Sequence, residues 1–120
     1  MPRDVPVSES DDAAFLRDML DACERIARFV HGKSIDTYRS DEMLRSAVER
    51  QIEIVGEAAN RVSKELQTAH AENAWRPIIA QRHILAHEYG EIEHDLIWRV
   101  ATVHVPVLQR QLLAILPAGQ

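Results

Sequence analysis

One cysteine, Cys23, stands alone among 120 residues. No disulfide can close within the chain, and a reducing compartment suits it. Aromatic residues make up only 5% of the sequence, and no segment sustains an alternation of apolar and polar residues, so the ordinary signals of a β-sheet are missing. Glycine is sparse as well, with four residues spread along the chain. No run approaches the roughly eighteen uninterrupted apolar residues of a membrane helix. The opening decapeptide MPRDVPVSES holds two prolines and lacks the apolar stretch of a secretory signal. These absences point to a cytoplasmic protein. Positive charge is also scarce, with a formal net charge of −5. A chain of that sign has no broad basic face for nonspecific nucleic-acid binding, so any RNA contact has to be concentrated at one site. The same acidity would suit a basic protein partner.

What is present is helical periodicity. The length fits one domain that buries roughly two-thirds of its unfolded surface. Residues 1–10 read as a flexible N-terminal arm, residues 11–116 as the helical domain and 117–120 as a short tail. A first helix is expected after Ser10, with Asp11 and Asp12 at the positive end of its dipole. Phe15, Met19, Ala22, Ile26 and Phe29 recur at helical spacing, and Leu16, Leu20, Cys23 and Val30 widen that stripe. Gly32 marks a stop, followed by a polar connector over 33–39. A second helix is expected from Ser40, with Leu44, Val48, Gln51, Val55, Ala58, Val62 and Leu66 on one face. Gly56 in its middle costs about 1 kcal/mol of helix propensity, which close approach of another helix would offset. The polar stretch 67–74 reads as a turn. Trp75-Arg76-Pro77 opens a short third helix, ending near Gly90. A fourth runs from about Glu91 toward Leu116, kinked at Pro106. The expected fold is an all-α antiparallel bundle of four or five helices.

The chemistry gathers in Arg82-His83-Ile84-Leu85-Ala86-His87-Glu88-Tyr89, which reads R-x-x-x-x-H-x-Y. A guanidinium grips phosphate oxygens through paired hydrogen bonds, and an imidazole moves protons near neutral pH. Arg82 and His87 are about 140° apart around an ideal helix. Sharing a substrate therefore needs a helix end, a bend, or a second copy of the segment facing the first across a two-fold cleft. Two facing copies would double the local positive charge on an otherwise acidic chain. With those groups in place, a ribose 2′-hydroxyl could attack its own phosphate, with His87 as general base or acid and Arg82 stabilising the phosphate charge. His83, four residues before His87, could hold substrate or help transfer protons. The same spacing leaves open a metal site of His83 and His87, completed by Glu91 or His94. Another class stays open too, a noncatalytic helical dimer that binds a protein partner, RNA or a nucleotide. His31, His70, His94 and His104 read as solvated or capping residues, and Trp75 and Trp98 as core anchors.

Several segments together resemble one family. The stretch Arg50-Gln-Ile-Glu-Ile-Val-Gly-Glu-Ala-Ala59 is similar to the Arg-initiated Gly-Glu-Ala-Ala helix of HepT-like proteins, within the HEPN superfamily. Residues 75–93, Asp95-Leu-Ile-Trp98 and Val105-Pro-Val-Leu108 continue that likeness in order, so that it spans roughly 11–116. The resemblance implies a toxin of a type VII-like HEPN/MNT toxin–antitoxin pair, of the HepT/MntA kind. It implies a homodimeric, metal-independent RNA endonuclease that uses no cofactor and whose catalytic residues are Arg82 and His87. Tyr89 would be the acceptor to which a cognate MNT-type nucleotidyltransferase antitoxin adds AMP. One departure is His83, where HepT-like proteins often carry Asn. Arg50 and Glu57 would either support the site or form a buried pair.

Overall fold

The computed structural model describes residues 5–73, 75–79 and 94–116, all but a few of them in helices, and no strand occurs among them. Helix α1 spans Val5–Val30. It starts six residues before the expected position, because Pro6 falls in the first turn, where a backbone N–H has no acceptor within the helix. Gly32 ends this segment as expected. Its φ of +73° is the left-handed conformation that glycine adopts freely, and it brings the Lys33 amide 3.0 Å from the Val30 carbonyl.

The expected polar connector is a helix. Helix α2, Ile35–Ser40, is capped by Ser34, whose hydroxyl accepts the Thr37 amide at 3.2 Å. It forms because Ile35 and Tyr38 lie one turn apart and share a face, and Tyr38 is fully buried. Helix α3, Glu42–Arg61, starts two residues later than expected on the Asp41 cap, which accepts the Leu44 amide at 3.0 Å. Its buried face is Leu44, Val48, Ile52, Val55, Gly56, Ala58 and Ala59. Ile52 takes the inward position assigned to Gln51. The small residues at the end of this face belong to the helix that packs most extensively on α1.

The expected unbroken helix to Leu66 is instead interrupted. Val62 turns extended, and Ser63 caps a short helix α4, Lys64–Ala69, by accepting the Leu66 amide at 3.1 Å. The joint is held from α1: Asp12 accepts the Ser63 amide at 2.8 Å and its hydroxyl at 2.6 Å. Asp12, expected at a helix start, lies well inside α1 and is 92% shielded from solvent. Beyond α4 the chain turns and residues 75–79 are helical again. Trp75 is buried there, donating its indole N–H to the His70 carbonyl at 3.0 Å.

The chain is described again from helix α5, His94–Arg99, through a π-helical turn, Val100–His104, into helix α6, Val105–Ile115. The expected start near Glu91 lies outside the described residues. The irregularity expected at Pro106 falls just before it. Proline has no N–H for the preceding turn and its ring crowds the carbonyl four residues back, and a widened turn relieves both. The Val105 amide reaches the Val100 carbonyl, and the Thr102 hydroxyl donates to the Trp98 carbonyl at 2.8 Å. One apolar core joins α1, α3 and α6, centred on fully buried Met19, Ile26, Val48 and Leu112.

Candidate functional site

Arg82, His83, His87 and Tyr89, together with Glu91 of the alternative metal site, lie outside the described residues. The structure shows what frames that segment on both sides. Upstream, Trp75 is anchored in the core and starts the helical residues 75–79. Downstream, α5 is clamped to α2 by a bidentate ion pair. Arg39 donates Nε to Asp95 Oδ1 at 3.0 Å and an NH2 hydrogen to Oδ2 at 2.8 Å. A third bond runs from Arg39 to Asp36 at 3.2 Å. The hydrogen bond from Arg39 holds the Asp95 carboxyl below the usual carboxylate range. Arg45 ties α3 to the end of α2 by donating to the Tyr38 and Arg39 carbonyls.

Beneath this clamp lies a polar group that the sequence did not announce. His94, expected to be solvated or capping, is half-buried, with its ring edge-on to Tyr38 at 6.3 Å between centroids. Trp98 packs on Tyr38 at 5.3 Å, which fits its expected anchoring role. Burial pushes the Tyr38 phenol above its usual range, and Glu49 adds to the shift. Burial also raises Glu49, against the lowering effect of nearby His94 and Arg45. Among the described residues the Tyr38 hydroxyl and His94 Nδ1 are buried without a hydrogen-bond partner. Period-based reading could not find this group, because its members come from three helices. The other histidines behave as expected: His31 and His104 are exposed, and His70 caps α4.

Arg50 and Glu57 both lie on α3. Arg50 is exposed and bonds Glu53 one turn away at 3.2 Å, and Glu57 is half-buried two turns along. Among the described residues the charged partner of Arg50 is Glu53, so a buried Arg50–Glu57 pair is not what the structure displays.

The chain is thus an all-helical domain in which an arginine–histidine–tyrosine segment is bracketed by a buried tryptophan and a clamped helix. The family model for "Ribonuclease HepT-like" proteins matches residues 19–115, a span that includes all of Arg82–Tyr89, and the chain belongs to that family. A Caldanaerobacter subterraneus subsp. tengcongensis protein named "Putative RNase TTE0752" is 32% identical over 102 residues, covering 85% of this chain and 91% of that one. A Thermococcus cleftensis protein named "Probable ribonuclease HepT" is 27% identical over 95 residues, covering 79% and 86% of the two chains. No solved structure matches the chain.

Proposed function

We propose that this chain is a metal-independent RNA endonuclease and the toxin of a HEPN/MNT toxin–antitoxin pair. The observation that carries the proposal is the family match across 19–115, which takes in the complete R-x-x-x-x-H-x-Y segment. The two relatives named as RNases support it. In the reaction, the ribose 2′-oxygen forms a bond to phosphorus while the bond from phosphorus to the 5′-oxygen breaks. The products are a 2′,3′-cyclic phosphate and a 5′-hydroxyl. His87 takes the 2′-hydroxyl proton or supplies one to the departing 5′-oxygen, and Arg82 stabilises charge on the phosphate oxygens. His83 assists proton transfer or substrate holding, and Arg50 and Glu57 support the site from α3. DNA has no 2′-hydroxyl and is not cut.

The active unit is a homodimer with two segments at a shared groove, and a nucleotidyltransferase antitoxin silences it by adding AMP to Tyr89. Each AMP places a negative phosphate and a bulky base beside His87, repelling and occluding RNA. The test is cleavage of labelled single-stranded RNA in excess chelator by the unmodified chain, beside its His87→Ala and Arg82→Ala variants. Wild type should cut, and His87→Ala should be slower by about 10²–10⁴-fold. A folded, AMP-free wild type that leaves RNA intact would overturn the proposal, and a strict need for divalent ions would favour the His83–His87 metal site.

A further inference from the structure

Lys64, Thr68, Asn73, Arg76 and Ile79 line a groove of roughly 610 Å³ between α4 and the helical residues 75–79. Among the described residues its lining carries two cations and no carboxylate, in a chain whose net charge is −5. The other large grooves differ. The one beside α5 carries Arg39 and Arg99 but also the Asp95 carboxylate that pairs with Arg39, and the one beside α6 is lined mainly by apolar residues together with Glu72. Lys64 and Arg76 are exposed, and neither makes an ion pair among the described residues.

The groove also lies close to the proposed chemistry by covalent necessity. Arg76 precedes Arg82 by six residues, and a chain spans at most about 3.6 Å per residue, so their α-carbons are no more than roughly 22 Å apart. Ile79, on the groove wall, is three residues from Arg82 and hence within about 11 Å by the same limit. A strand of a few nucleotides reaches both places.

We propose that Lys64 and Arg76, with Thr68, form a phosphate subsite for single-stranded RNA, which holds the backbone of the strand cut at Arg82 and His87. Arg76 and Lys64 neutralise a backbone phosphate, and the exposed Thr68 hydroxyl hydrogen-bonds one of its oxygens. This subsite explains how an acidic chain can take RNA without a broad basic face. It rests on the ribonuclease reading for its ligand, but binding tests it apart from cleavage.

The experiment measures anisotropy of a fluorescent 2′-O-methyl RNA oligonucleotide, which cannot undergo 2′-hydroxyl attack, against full-length protein at several salt concentrations. The Lys64→Gln/Arg76→Gln variant is compared with wild type and with Lys33→Gln/Arg110→Gln, which removes the same charge at exposed positions outside the groove. The groove variant should bind at least about tenfold more weakly, and its slope of log affinity against log salt should be shallower by about 1.4, or ~0.7 for each cation withdrawn from the RNA backbone. The control should stay within about twofold of wild type at the same salt. Circular dichroism equal to that of wild type confirms that the variants are folded. Equal weakening in both variants, or unchanged binding in the groove variant, would overturn the subsite. Intact groove-dependent binding by a wild type that never cuts ordinary RNA would leave the subsite standing and sink the ribonuclease reading. Cleavage by the groove variant with an unchanged KM would do the reverse.

Discussion

Asp12 commits both carboxylate oxygens to one residue, Ser63, which lies 51 positions away. The bond matters because Val62 and Ser63 break an apolar register that would otherwise run on to Leu66. Asp12→Ala would leave the Ser63 amide without its acceptor in a shielded place, and a hydrogen bond to a charged group contributes about 1.5–3 kcal/mol. Urea unfolding should show a loss of that size, and a change under about 0.5 kcal/mol would mean that the joint is held by something else. Cys23 makes a different kind of prediction. Burial, with Glu24 adding to it, pushes its thiol from the ordinary 9.0 up to about 12. Between those values the unfolded chain releases a proton that the folded chain keeps, so stability falls as pH rises from 9 toward 12. At pH 10 the thiol alone should remove about 1.4 kcal/mol, and Cys23→Ala should flatten that part of the profile. The buried Tyr38 phenol, raised in the same direction, adds to the alkaline loss at higher pH. Below pH 9 the native thiol should resist an aromatic disulfide reagent and react only after denaturation. Rapid labelling of the folded protein would contradict the burial argument.

Elements here are placed by contacts remote in sequence, and that limits what could be read beforehand. The inward faces of α1 and α3 were legible from period alone, because Leu16–Met19–Cys23–Ile26 and Leu44–Val48–Val55 follow helical spacing and are buried. Helix α2 is not legible from period, because six residues with two apolar positions, Ile35 and Tyr38, carry too little of it. The interruption at Ser63 is not legible either, because Ser-Lys-Glu-Leu sits in a good helical pattern and Asp12 supplies the deciding bond from elsewhere. Pro106 signalled a disturbance correctly, but a lone proline does not say whether a kink or a widened turn will absorb it. The candidate segment Arg82–Tyr89 was legible as a motif, whereas the Arg39–Asp95 clamp that follows it joins residues 56 apart and was not. That clamp gives its own prediction. Asp95 is held low by Arg39, so the clamp contributes above the ordinary carboxylate pKa and is lost as pH falls through the depressed folded value. In Arg39→Met, a carbon-detected NMR titration should show the Asp95 pKa rising toward the ordinary carboxylate value. An unmoved titration would mean that the ion pair does not persist in solution.

At the scale of the whole molecule, sign and symmetry have to be reconciled. A net charge of −5 opposes approach of RNA, and 14 basic residues against 19 acidic ones leave little for a general basic face. Bringing two copies of Arg82, His83 and His87 to one groove would answer that objection, and it would also meet the separation of about 140° between Arg82 and His87 on a regular helix. The proposed homodimer should therefore have a solution mass twice 13.7 kDa at the concentrations where RNA is cut. Its sites can be tested by mixing the two inactive variants. If each site takes Arg82 from one copy and His87 from the other, Arg82→Ala and His87→Ala proteins unfolded and refolded together form mixed dimers with one intact site. Random pairing then restores roughly a quarter of wild-type activity. We expect that restoration because a single regular helix turns the two side chains apart. If the mixture stays inactive while mass measurement confirms mixed dimers, Arg82 and His87 of the same copy must act together. The segment would then have to bend or end between them, and the dimer would serve to concentrate charge rather than to complete the site.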